Sequence, residues 1–430
     1  MKVNKILSMI FIGLLLSLIY LPTAISFEPI KQDSYSTKDS KPEEDISLLH
    51  AEHYLYIDAI ENVSISNIRY SFPPEYKCQY PIFLEIIDDS TANIIDYKIE
   101  NDKNEPNKLV NFTIGAMDKN QRSLIHMKFW VLIKNYNYSD FPKNIPIPKQ
   151  NDLPAETKKW LGATEVVQKD KILIRIRARQ MKLFTDNLVK LAERIGRFCK
   201  WHRHIFFLIQ YKLGLYKSQD ALTTLFRSGE CPGKSHLGTS LFRANGVPAR
   251  VILACPVNYD FWFEMHYMIE YYANEEFGWI LSDVHSGKSP IEQKNFIINR
   301  ICYPEDENNT QTDFLFPKMK GIESWLWIDN EFIKPYYKDL DEGSKSRGFS
   351  DNEMIVNSFD ANWTVTLTKE VFANFEYYLG ISLTGENLDY FTNATGFQKK
   401  AIDLFKNSID PYGYLWYMYL ANEEYNKIQI

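Results

Sequence analysis

The sequence predicts an α+β protein, in which a small β-sandwich precedes a core made of a cysteine-bearing helix packed on an antiparallel sheet. Three observations carry that reading. Five short runs rich in β-branched and aromatic residues (54–57, 63–71, 82–87, 109–114 and 125–133) crowd the first third of the chain, as in a small antiparallel sandwich. Further on, Leu237, Leu241 and Ala244 share one helical face, with Cys231 before them and Gly246 just past their end. Two alternating segments then follow, one opening on His266 and one ending on Asp283, joined by the turn-like Ala273-Asn274-Glu275-Glu276-Phe277-Gly278. They read as a β-hairpin.

In chain order, Lys2 and Lys5 flank the start of an apolar run over 6–21, which Pro22 and Ala24-Ile25-Ser26 follow. Residues 1–26 therefore read as a secretory signal peptide, with an N-terminal anchor as the alternative. The run is shorter than the ~20 residues of a usual spanning helix. Either reading puts the rest of the chain outside the cytoplasm, secreted or held at the cell surface, with 6–21 as the membrane tether in the second. No second run of comparable apolarity occurs, which argues against a polytopic membrane protein. Six N-x-[ST] sequons, at Asn62, Asn111, Asn137, Asn308, Asn362 and Asn393, fit an exported glycoprotein, although an Asn-rich chain also generates them by chance.

Residues 27–46 are polar and Pro-containing and read as a flexible stalk. The sandwich occupies 47–142 and shows no clustered polar constellation, which suits a spacer or docking module. Pro-rich residues 142–154 mark a boundary. The core spans 157–335 and includes a long helical segment over 185–213, where Leu188, Leu191, Ala192, Ile195, Phe198 and Cys199 repeat at helical spacing before Gly214. Residues 336–430 form an α+β extension with aromatic strand-like and helical pieces, among them 363–367 and 397–405.

Bulk properties bound the function. The 430 residues are 45% hydrophobic, enough for two or three domains with their own cores. A net charge of −6 with no concentrated basic face argues against a nucleic-acid partner. The 15% aromatic content suits a β-rich protein or one that recognises peptides or sugars. Five cysteines (Cys78, Cys199, Cys231, Cys255 and Cys302) leave at least one thiol unpaired within the chain. Two bridges among the other four would leave Cys231 free, while Cys199 and Cys255 also fit as core thiols.

Pro232 tolerates a first-turn position because its missing N–H would be unpaired there anyway. That puts Cys231 at a helix N-terminus, where the macrodipole favours the thiolate and a backbone N–H can face a developing oxyanion. A nucleophilic thiol needs a base, and the base an orienting group. If Tyr272 pairs with Trp279, Asp283 falls opposite Met268, on the face of His266 and diagonal to it; one residue of slip would part them. A carboxylate so placed can accept from one imidazole nitrogen while the other serves the thiol.

Neighbouring polar residues read differently. Glu270 is expected to be structural, and Arg250 to tie its strand to neighbours through an ion pair. His236 either approaches the cleft or is simply exposed. His202 and His204 stand two apart, so on a helix they point in different directions and make a poor metal pair. Glu305-Asp306-Glu307 reads as a solvated loop. With no C-x-x-C, H-E-x-x-H, EF-hand or Gly-rich phosphate loop in the chain, neither a metal nor a cofactor is expected.

Gly229-Glu230-Cys231, the Arg-Ala-Asn-Gly-Val-Pro-Ala-Arg element at 243–250, His266 with Glu270, and Gly278-Trp279 leading to Asp283 occur in an order and spacing that resembles the transglutaminase-like superfamily. The resemblance covers roughly residues 157–300. It implies an exported microbial protein with a papain-like/transglutaminase-like core, and Cys231, His266 and Asp283 as catalytic residues. It also implies attack on a peptide or carboxamide carbonyl through a thioester, with a protein or peptide as substrate, cell-wall peptides included. This chain has Pro232 where tissue-type members have Trp, and Met268 where an aromatic follows the histidine. These departures resemble the microbial peptidases and amide hydrolases more than the cross-linkers. Protein or cell-wall cross-linking by acyl transfer is the alternative, and a catalytically idle surface binding module the third. In some relatives an upstream Trp supplies a second oxyanion donor; Trp201 is the nearest here.

Overall fold

The computed structural model describes residues 44–134, 141–202, 219–256, 266–293, 296–307, 326–335, 345–356, 358–408 and 411–430. The leader or anchor at 1–26, most of the stalk, and Asn137 and Asn308 lie outside the described residues, as does the helical reading beyond 202. Residues 44–46 already belong to a strand.

Alternating apolar residues build six strands: β1 (Glu44–Ala59), β2 (Ser66–Phe72), β3 (Gln79–Ile86), β4 (Ile94–Asn101), β5 (Lys108–Ile114) and β6 (Arg122–Lys134). β4 has no counterpart among the sequence-read runs. Its charges and its exposed or half-exposed positions, with Ile99 alone buried, hide the period of two. One sheet runs β1-β6-β3 and the other β2-β5-β4. Their apolar faces meet, with Phe72 of β2 edge-on to Phe129 of β6 at 5.2 Å.

The core follows as α1 (Ile172–Lys182), α2 (Leu188–Trp201), α3 (Ala221–Phe226), α4 (Cys231–Ala244), β7 (Ala249–Pro256), β8 (His266–Tyr272), β9 (Trp279–Ser282), β10 (Phe296–Ile301) and the single turn α5 (Pro304–Glu307). The four strands form an antiparallel sheet in the order β10-β7-β8-β9. α4 lies against it through Leu237, Leu241 and Phe242, which join Ile269 and Tyr271 in one apolar cluster.

The chain then returns to the sandwich. β11 (Leu326–Ile328) pairs with β2, while β12 (Ile333–Pro335) and β13 (Lys345–Val356) pair with β1. Thus β11 and β12, within the stretch read from sequence as the core, hydrogen-bond into the sandwich sheets. Three helices close the chain: α6 (Ser358–Leu379), α7 (Glu386–Ser408) and α8 (Pro411–Tyr425). Residues 363–367 are part of α6. Thr364, Leu367, Thr368 and Val371 are buried at helical spacing, and Phe372 stacks on Phe72 at 6.1 Å. Among the described residues no helix is long and apolar enough to cross a membrane.

Two expectations are corrected. No disulfide joins any of the five cysteines, so the two bridges do not form. β7 and β10 pair Cys255 with Ile297, whereas the Cys302 N–H bonds to Val251 O, several residues along the ladder. Cys199 belongs to a separate apolar cluster around α2 and α4. The acidic triplet is not a solvated loop either. Asp306 and Glu307 are buried, the first 3.0 Å from Arg300 and the second paired with Arg243. Both partners lie outside the triplet, so its composition alone could not reveal their burial.

Candidate active site

Glu230 precedes α4 in an extended conformation and offers no side-chain cap to the helix. Gln219 takes that role. Its Oε1 accepts the backbone N–H of Glu230 at 3.1 Å and of Gly233 at 2.9 Å, satisfying a first-turn donor that would otherwise lack a partner. Lys234 N–H donates to Glu230 O, and Pro232 has none to give. Among the described residues, the Cys231 N–H is therefore the first-turn donor left for a ligand. The Cys231 side chain itself is only 5% exposed.

The hairpin register is the one that brings histidine and aspartate together. Tyr272 pairs with Trp279 and Ile269 with Ser282, which carries Asp283 opposite Met268 and diagonal to His266. His266 Nε2 lies 3.2 Å from Asp283 Oδ1, leaving Nδ1 as the nitrogen open to the thiol. The Cys231 thiol is near enough to act on the same imidazole. Burial works against a charge on His266. The Asp283 carboxylate, and after it the Cys231 sulfur, more than offset this and push the imidazole up to about 10. Burial likewise opposes the Asp283 carboxylate, but His266 and Ser286 hold it well below the usual range. The structure thus gathers Cys231, His266 and Asp283 at one point, the arrangement required for a thiol nucleophile with an oriented base.

Other sequence-read residues find defined places. Glu270 accepts from Arg250 Nη2 at 2.8 Å and from Tyr76 O–H at 2.9 Å, and it pairs with Lys77. Arg250 lies 4.0 Å over the Trp279 ring. Both residues are structural, fastening β7 and β8 to each other and to the Tyr76-Lys77 segment of the sandwich region. His236 is neither in the cleft nor exposed. It is fully buried within α4, with Nδ1 2.7 Å from Gln219 O, and burial lowers it to about 4. Trp201 is 72% exposed. Among the described residues its ring meets Lys200, 5.2 Å from the ring centre, and not Cys231. His202 Nε2 lies 2.8 Å from Leu225 O. Among the described residues no group of three His, Cys, Asp or Glu could hold a metal.

Three polar residues at the site escaped the sequence reading. They are Gln219, Glu230, whose Oε2 lies 3.9 Å from His285 Nδ1, and Lys234, which is 1% exposed. Glu230 and Lys234 flank Cys231 within one helical turn, and that proximity was the available signal. Gln219 gave none, since its role depends on a loop folding back onto the α4 terminus.

Residues 185–284 match the family model of the transglutaminase-like superfamily. No curated protein matches the chain. A solved structure from Cytophaga hutchinsonii, provisionally assigned as a cysteine protease, is similar at 15% identity with a TM-score of 0.44, covering 71% of this chain and 99% of that one. A second, from Parabacteroides distasonis and provisionally assigned as a protease, is similar at 12% identity with a TM-score of 0.22, covering 55% of this chain and 47% of that one. Residues 185–284, which contain Cys231, His266 and Asp283, are a domain of the transglutaminase-like superfamily.

Proposed function

We propose that the protein is a cysteine hydrolase that cleaves peptide or carboxamide bonds through a thioester on Cys231. The supporting observation is the alignment of a helix-start thiol with an imidazole that Asp283 holds at 3.2 Å. The Cys231 thiolate attacks the carbonyl carbon, and the oxyanion that forms accepts the Cys231 N–H. The protonated His266 gives its proton to the leaving amine, and the C–N bond breaks to leave the thioester. Neutral His266 then takes a proton from water, the hydroxide attacks the thioester, and free acid leaves as the thiolate is restored. Asp283 keeps the imidazole in one tautomer and stabilises its charged form. We further propose, from residues 1–26, that this chemistry takes place outside the cytoplasm.

The test is to acid-quench the protein during turnover of a panel of peptide and glutamine-carboxamide substrates, then map the adducts by mass spectrometry. An acyl group on Cys231 with free acid as product is expected, and both should vanish in Cys231→Ala. Turnover that persists in that variant would overturn the assignment. Isopeptide product on adding a primary amine would redirect it to cross-linking.

A further inference from the structure

The chain as a whole is acidic, yet residues 169–201 hold ten Lys and Arg against three Asp and Glu. A basic surface therefore exists where the net charge of −6 suggested none. α1 lies in this stretch and presents one side to solvent. Ile172 is 73% exposed, Ile176 42%, and Leu183, just past the helix end, 56%; positions 172, 176, 179 and 183 share one helical face. Arg179 stands within that stripe and Lys171 and Arg175 beside it, all three exposed. α1 itself contains no acidic residue, and among the described residues none of these three cations has an ion-pair partner. Phe184 continues the stripe. It is 94% exposed at φ 59°, a left-handed conformation that strains a bulky residue. Arg194 of α2 braces that turn, its Nη1 donating to Met181 O at 2.9 Å and to Leu183 O at 2.7 Å. An aromatic ring held wholly in solvent on a strained, braced backbone points to a partner outside the chain.

We propose that α1 and Phe184 form a docking face for the surface of an anionic lipid bilayer, with the aliphatic side chains and the ring at the acyl boundary and the cations on lipid phosphates. An anionic surface complements Lys171, Arg175 and Arg179, and the acyl boundary takes up the apolar groups between them. A nucleic-acid backbone would meet the cations but offers nothing to Ile172, Ile176 and Leu183. A second copy of the chain docking through the same face would bring like charges together. The apolar stripe is small, so attachment needs its electrostatic part, and salt should release it.

The experiment maps hydroxyl-radical oxidation of the full chain by mass spectrometry, with vesicles of phosphatidylcholine alone or of phosphatidylcholine mixed with phosphatidylglycerol. Oxidation of Leu183 and Phe184 should fall about tenfold on the anionic vesicles and less than about twofold on the neutral ones. Trp416, exposed on α8, should be unchanged on both. Salt at about 1 M should restore the oxidation. The apolar run at 6–21 has no preference for anionic lipid, so the difference between the two vesicle types reports α1. In Arg175→Gln/Arg179→Gln, a change at two exposed positions, the lipid needed for half-protection should rise at least about tenfold. Native-like protection in that variant, or equal protection on neutral vesicles, would overturn the proposal. Protection by soluble heparin without lipid would replace the bilayer with a dissolved polyanion. Protection that grows with protein concentration alone would replace it with a second copy, and either result overturns the lipid assignment.

Discussion

At Asp283 one carboxylate oxygen serves two partners. Oδ1 lies 3.2 Å from His266 Nε2 and accepts the His285 N–H at 2.9 Å. Asp283→Asn keeps the shape but removes the charge that sustains the imidazolium. Turnover should fall on the order of 10²–10⁴-fold, with the acyl-enzyme still detectable at Cys231 in long incubations. A loss of less than about threefold would remove Asp283 from the mechanism. The same pair predicts a pH signature in stability. His266 is raised in the folded protein, to about 10, above the ordinary ~6.5 of an unfolded chain. Its contribution is therefore fully present below that lower value and is lost as pH rises through about 10. The difference in melting temperature between native protein and His266→Gln should be constant between about pH 4.5 and 6, above the range where Asp283 protonates in the unfolded chain, and vanish above about pH 10; a difference that grows with pH from 6 to 10 would contradict the assignment. Cys231, His266 and Asp283 were legible in the sequence because helix-start context and strand alternation are local patterns. Lys234 and Glu230 were in view but unread, since their burial depends on α2 and the turn after β9.

The N-terminus of α4 shows how an element holds its site. Gln219 supplies the cap from outside the helix, so Gln219→Ala should cost about 1–3 kcal/mol, the range for a lost cap or an orphaned buried donor. It should also lower turnover, because the nucleophile sits on the turn that loosens. Gly233 makes room for that cap: a Cβ there would stand 2.4 Å from Gln219 Oε1 and 2.5 Å from Thr224 Oγ1. Gly233→Ala should then destabilise by at least about 1–3 kcal/mol, as overpacking does. In the combined variant with Gln219→Ala, the alanine loses one of its two obstructions. Chemical denaturation of the single and double variants measures this coupling, and strictly additive effects would mean that Gln219 does not fill the space beside Gly233. At this scale the β8–β9 hairpin was readable because its turn and its alternation agree. The helix containing Trp363 was not, because a few aromatic and β-branched residues carry strand propensity that the packing of α6 against the sandwich overrides.

Across the whole molecule, the active-site sheet is stitched to the sandwich along β10. Gln79 accepts the Ile298 N–H at 2.8 Å and donates to Ile298 O at 2.8 Å. Asn107 does the same for Ile301, both bonds at 2.8 Å, and Ser71 Oγ donates to Asn299 O at 2.9 Å. Buried side-chain amides thus imitate a neighbouring strand and close an edge that would otherwise stand open. The apolar cluster runs through the same seam, from Phe72 and Phe129 to Val251, Leu253 and Cys255. None of this was legible in the sequence: Gln79 and Asn107 look like ordinary polar residues, and their partners lie 219 and 194 positions away. The seam predicts that sandwich and core unfold together. Tryptophan fluorescence, which samples both regions through Trp130 and Trp160, should share one denaturant midpoint with pulse alkylation of Cys255, buried at the junction. Gln79→Leu leaves the Ile298 N–H and C=O buried without partners and should lower stability by about 1–3 kcal/mol for each orphaned group. Because one set of bonds serves both parts, that variant should shift the two midpoints equally. If fluorescence shifts and Cys255 protection does not, the core stands independently of the sandwich, and the seam is only a contact between two separately stable bodies.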